Sequence, residues 1–171
     1  MDLGEFLFVL VYATTAIIYI LFIILIIYVV AKAKLYDKAG DKGWAALIPF
    51  YSYFRFSKLA VGNYIPAIVY TSLWAVCLMM NITVRFMEDY PNAADILEII
   101  SDIGDVVLIG ITGFVSYYFG KAYGKSKLWN ILMIFFNGIM IIIMGFNKNT
   151  QYVGPKGVPQ AADNIRPYTE Y

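Results

Sequence analysis

The sequence predicts an all-α polytopic membrane protein, with four transmembrane helices and an interfacial amphipathic segment between the first two. Three observations predict it. The 171-residue chain is 61% hydrophobic and only 15% charged, against about 25% charged in a typical soluble domain. Its apolar residues come in long uninterrupted runs, as membrane helices require. Its Lys and Arg collect between those runs on alternate connections, although the net charge is only +1.

The first helix is expected over residues 6–31, a stretch of 26 residues without a charge that ends at Lys32 and Lys34. At 1.5 Å per residue it reaches about 39 Å, more than the ~30 Å of bilayer hydrocarbon. It is too long for the apolar core of a signal peptide, and Asp2 and Glu5 stand where a signal peptide carries basic residues. It therefore reads as a retained helix.

Residues 43–60 follow as the interfacial segment. Trp44, Phe50, Tyr51, Tyr53, Phe54 and Phe56 crowd around Arg55 and Lys58. This composition suits foremost an aromatic belt with snorkelling cations, and as the alternative a docking surface for a partner or anionic lipid. Pro49 is expected to break the segment into two short pieces.

The second helix is expected over 64–84, with Pro66 in its first turn and Arg85 at its end. An acidic link leads to the third helix, expected over 100–120 because the uncharged core 106–120 is too short to span alone. Asp95, Glu98, Asp102 and Asp105 are spaced 3, 4 and 3 apart, which puts four carboxylates on one helix face. Arg85 is their candidate ion-pair partner across the hairpin. Gly113, Ser116, Gly120 and Gly124 form a small-residue stripe of the kind that lets membrane helices pack closely. The fourth helix is expected over 128–146, and a polar C-terminal tail over 147–171.

Orientation follows from the basic residues. The first connection carries six and the third three; the N-terminal segment, second connection and tail carry none, one and three. The first and third connections are thereby expected in the cytoplasm and both termini outside.

Two patches and a closing pattern carry a resemblance. Lys38-Ala39-Gly40 followed by Gly43-Trp44-Ala45-Ala46-Leu47-Ile48-Pro49-Phe50-Tyr51 resembles the KAG-x-x-GW-x-x-LIP-x-Y signature of a family of small bacterial multi-helix membrane proteins of unknown function, sometimes labelled signal-peptidase-associated. Ala122-Tyr123-Gly124-Lys125-Ser126 is similar to that family's A-F-G-K-S motif, and Gly145-Phe146 with Tyr152-Val153-Gly154-Pro155 to its closing pattern. The chain departs from it at Ser52, where Asn is expected, and at Asn137-Gly138 and Ile142, where prolines are expected. The resemblance implies a polytopic bacterial membrane protein, and the expected location is the plasma membrane. It brings no activity or substrate with it.

Chemistry is sparse. There is no His, and the single Cys77 lies in an apolar run, so neither a disulfide within the chain nor imidazole chemistry is available. Gly-Lys-Ser at residues 124–126 lacks the strand–loop–helix context of a phosphate loop. No enzyme, cofactor, metal or nucleic-acid partner is expected. The expected role is a membrane scaffold or accessory protein that acts by helix packing and self-assembly, with the bilayer, a second copy or an unidentified membrane protein as partner. The alternatives are a small cation channel or transporter with an outer acidic vestibule, and a binder that uses residues 151–171.

Overall fold

A computed structural model describes residues 2–87 and 90–159. Six α-helices make up the chain there: α1 (Leu3–Lys38), α2 (Pro49–Val61), α3 (Ile65–Val84), α4 (Pro91–Ala122), α5 (Lys127–Phe135) and α6 (Asn137–Phe146). Short 3₁₀ turns at Gly43–Leu47 and Pro155–Gly157 complete it, and no strand occurs among the described residues. Three helices, α1, α3 and α4, are long and apolar enough to cross a membrane.

Each boundary has a local cause. Pro lies in the first turn of α2, α3 and α4, where its missing N–H costs nothing. Gly62 ends α2 in the left-handed conformation (φ 91°) and returns its N–H to the Lys58 carbonyl. Ser126 caps α5 by accepting from the Trp129 N–H. The third helix begins at Pro91 rather than near residue 100, so α4 runs 32 residues, about 48 Å.

α3 and α4 pack as an antiparallel hairpin. Asn81 Nδ2 donates to Ser101 Oγ at 2.6 Å, and Gly104 lies so close to Cys77 that a Cβ there would fall on its Sγ. Ser101 and Gly104 thus form a close-contact stripe on α4 that the sequence reading passed over. α2 packs into the bundle. Ser52, Phe56, Ser57, Leu59, Ala60 and Val61 are buried, and Phe56 stacks on Phe119 of α4 with ring centroids 4.1 Å apart.

The expected fourth helix is two helices. The run breaks at Phe136 (φ −119°, ψ 39°), giving α5 of 9 residues and α6 of 10. Each covers about 15 Å or less, half of what a span needs. α5 descends along α4: Asn130 and Met133 lie against Gly120, and Ile134 against Gly113. At the tip, Asn137 Nδ2 donates to Ser116 Oγ (2.7 Å). α6 then comes back. Its end reaches Ala31 and Lys38 of α1, and residues just beyond it bond to the end of α4, where Val153 donates its N–H to the Ala122 carbonyl (2.8 Å). Both ends of the α5–α6 hairpin therefore lie at the same end of the bundle, beside the ends of α1 and α4. The tip, level with residues 113–116, stands some 6–9 residues up α4, about 9–14 Å from that end.

Candidate functional site

The three motif patches, far apart in sequence, meet at this end of the bundle. α1 delivers Tyr36, Asp37, Lys38 and Asp41 through its last turns and the bend after it. Tyr36, fully buried, donates its hydroxyl to the Ser52 carbonyl at 2.7 Å. Asp37 Oδ1 accepts from the Gly43 N–H at 3.0 Å, and a Cβ on Gly43 would fall on that carboxylate. Lys38 Nζ donates to the carbonyls of Met144 (3.1 Å), Gly145 (3.0 Å) and Asn147 (2.8 Å). One ammonium thus satisfies three acceptors at the C-terminus of α6, where the helix dipole also favours a cation.

The second patch is spent residue by residue. Tyr123 donates its hydroxyl to the Leu35 carbonyl. Gly124 takes the left-handed conformation (φ 65°) that ends the turn after α4. Lys125 Nζ donates to Thr150 Oγ1 at 3.0 Å, and Ser126 is the cap of α5. In the third patch, Tyr152 donates to the Leu59 carbonyl at 2.9 Å and meets Tyr123 edge to face, with centroids 5.2 Å apart. Gly145 abuts the backbone of Ala31 so closely that no side chain fits between α6 and α1.

A cavity of about 120 Å³ opens beside this junction, lined by Gly40, Asp41, Arg55, Lys58, Tyr152 and Pro155 among others. Arg55 pairs with Asp41 (3.4 Å), and its Nε donates to the Tyr51 hydroxyl at 2.9 Å. Burial works to lower Arg55, but Asp41 and Tyr51 outweigh it and hold the guanidinium above its usual value. Burial raises the phenols of Tyr123 and Tyr152 and lowers Lys125. The junction therefore keeps neutral phenols and one paired guanidinium. Its polar groups mostly face one another.

The other sequence-derived candidates fall as follows. Gly113 and Gly120 lie against Ile134, Asn130 and Met133 of α5, and Ser116 accepts from Asn137 at the hairpin tip, so the same chain fills the stripe. Gly124 lies beyond the end of α4. Asp95, Glu98, Asp102 and Asp105 share one exposed face of α4. Among the described residues no ion pair joins Arg85 to Asp102 or Asp105, and no group of three or more carboxylate or thiol residues is placed to hold a metal ion. Of the expected anchors, Trp44 and Phe50 are exposed, and Trp44 stacks on Tyr51. Tyr53, Phe54, Arg55 and Lys58 are half-buried, and Phe56 is core. The last part of the tail, residues 160–171, with Arg166, lies outside the described residues.

What sequence reasoning missed is the junction itself. Lys38, Tyr123 and Tyr152 all lay inside the quoted motifs. Spacing alone did not say that they converge.

Long apolar helices and a side-chain-to-backbone lock at one end define the class: an α-helical protein with three helices long and apolar enough to cross a membrane. A family model described as a family of unknown function, DUF5684, matches residues 44–155, and the chain belongs to that family. The match takes in Trp44 to Tyr51, the second patch and the closing Tyr152-Val153-Gly154-Pro155, while Lys38-Ala39-Gly40 lies just before it. No curated protein and no solved structure matches the chain.

Proposed function

We propose that this chain is a non-enzymatic integral membrane scaffold or accessory protein with three spanning helices and one re-entrant hairpin, α5–α6. The observation that carries the reading is a division of labour. The polar groups of the three motif patches are largely consumed in locking α1, α2, α4 and α6 together at one end. The apolar half of α1 is left outside the bundle: residues 6–26 are exposed on every side. Such a helix offers its whole circumference to lipid or to another membrane helix, including that of a second copy.

Charge supports an orientation. Eleven Lys and Arg (Lys32, Lys34, Lys38, Lys42, Arg55, Lys58, Lys121, Lys125, Lys127, Lys148 and Lys156) belong to the locked end, and Arg85 alone among the described residues belongs to the other. By the positive-inside rule the locked end faces the cytoplasm. In this placement the N-terminus is outside, as the sequence suggested. The segment after α6 is inside, contrary to the reading in which residues 128–146 cross the bilayer.

Paired oxidation of single cysteines tests the scaffold. In a Cys77→Ser background, cysteines are placed one at a time over four successive positions of α1 (Ile23→Cys to Ile26→Cys). Oxidation in native membranes should give disulfide dimers on one helical face. Absence of any dimer, with no co-purifying membrane protein, sinks the reading. A reporter fused after residue 159 should sit on the cytoplasmic side; an external signal would refute the hairpin placement.

A further inference from the structure

Lys32 stands where α1 leaves the bundle. It is the first charge after 26 uncharged residues, so it marks the level at which hydrocarbon gives way to headgroups. Yet it is not a solvated lysine: its relative exposure is 9%. Three rings surround the ammonium, with centroids at 5.1 Å (Phe56), 5.6 Å (Tyr28) and 6.0 Å (Tyr36). Among the described residues no carboxylate pairs with it, the one salt bridge being Arg55–Asp41. Its neighbour Lys34 points to another face, over Phe146 at 4.3 Å.

Aromatic faces attract a cation, but they do not replace its hydration. A buried charge left unpaired is costly enough that such groups ordinarily have a counter-ion or a hydrogen-bond acceptor. The described residues supply none here. The surroundings can. Beyond Tyr28 and Val29, residues 6–26 of α1 are all exposed, so lipid lies against them, and phospholipid phosphates sit at the depth of the first charge. We propose that Lys32 and its wall of Phe56, Tyr28 and Tyr36 form a binding site for the phosphate of an anionic membrane lipid. The headgroup oxygens complete the ammonium's hydrogen bonds, and the acyl chains follow the bare stretch of α1. A lipid with net negative charge fits and a zwitterionic one does not, because among the described residues the site presents one uncompensated positive charge and no carboxylate to receive a choline. The proposal uses only the placement of α1 in the bilayer. It stands or falls separately from self-assembly, which the α1 cysteine series reads.

The test uses the full chain, delipidated in a mild detergent, with thermal unfolding followed by Trp fluorescence. Mixed micelles of phosphatidylglycerol should raise the Tm by about 3 °C or more over phosphatidylcholine, since 1 kcal/mol shifts a chain of this size by about 2–4 °C. Lys32→Met should lose that increment while melting no lower than the native chain in phosphatidylcholine, since it removes an unpaired buried charge. Lys32→Arg should keep most of the increment, and Lys42→Gln, at an exposed position of the same end, all of it. Equal effects of the two lipids, or an increment that survives Lys32→Met, overturn the site. Inorganic phosphate alone giving the same shift overturns the lipid as its source. Should Lys32→Met not be recovered folded, native mass spectrometry of the native chain decides. One phosphatidylglycerol retained under washing that strips phosphatidylcholine supports the site; equal retention refutes it.

Discussion

The two ends of this molecule are built on opposite principles. At the basic end, five chain segments are held by side chains that reach backbone carbonyls far away in sequence: Tyr36 to Ser52, Tyr123 to Leu35, Tyr152 to Leu59, and Lys38 to the end of α6. At the other end α3 and α4 meet through Asn81, Ser101, Cys77 and Gly104, and α1 stands alone. The contrast teaches where hydrophobic burial can act. Within hydrocarbon, apolar side chains gain nothing by leaving lipid for protein, so association there rests on close backbone approach and a few hydrogen bonds. In the proposed placement the basic end lies near water, where burial of Phe56, Phe119 and Tyr123 is favourable again, and the core gathers there.

The comparison breaks most sharply at Gly145. A side chain there has no room against the Ala31 backbone, so Gly145→Val should separate α6 from α1 and cost about 3 kcal/mol, at the upper end of overpacking effects. The measurement is the Tm in detergent, with proteolysis of residues 147–153 as a local readout; an unchanged Tm would refute the packing. Lys38→Met comes next. It leaves three carbonyls at the α6 terminus without their donor, an expected loss of about 2 kcal/mol, read in the same two assays; a loss confined to a few tenths would show that water replaces the ammonium freely. The smallest effect is expected at the opposite end. Changing Asp95, Asp102 and Asp105 to Asn and Glu98 to Gln touches only exposed groups, so the fold should hold within about 0.5 kcal/mol. In liposomes the same change also sharpens the scaffold reading against the channel: a cation flux that falls on neutralisation would move the assignment to conduction.

The fourth apolar run shows why one feature stayed hidden. Residues 128–146 have the composition of a membrane helix, and composition alone cannot tell a span from a hairpin that enters and returns. No proline marks the break at Phe136. It is held by tertiary contacts: Asn137 to Ser116 at the tip, Ile134 and Met133 against the glycines of α4, and Lys38 on the far terminus. The stripe of Gly113, Ser116 and Gly120 was legible as a packing face, but which helix it receives was not, since small residues admit any close neighbour. The same holds for the motif tyrosines. Tyr36, Tyr123 and Tyr152 look like belt aromatics in sequence because their roles depend on carbonyls from other segments.

By itself the sequence determined that this is an all-α chain, that it carries apolar helices long enough to cross a membrane, and that its cations crowd on alternate connections. Those properties are local sums over consecutive residues, and hydropathy and charge report them directly. Only the tertiary structure decided that α5 and α6 turn back, that three distant motifs close into one lock, and that Lys32 is walled in by rings with no counter-charge among the described residues. Those depend on which segments meet, and that is set by shape, by the room a glycine leaves and by hydrogen bonds across 16 to 109 positions of chain.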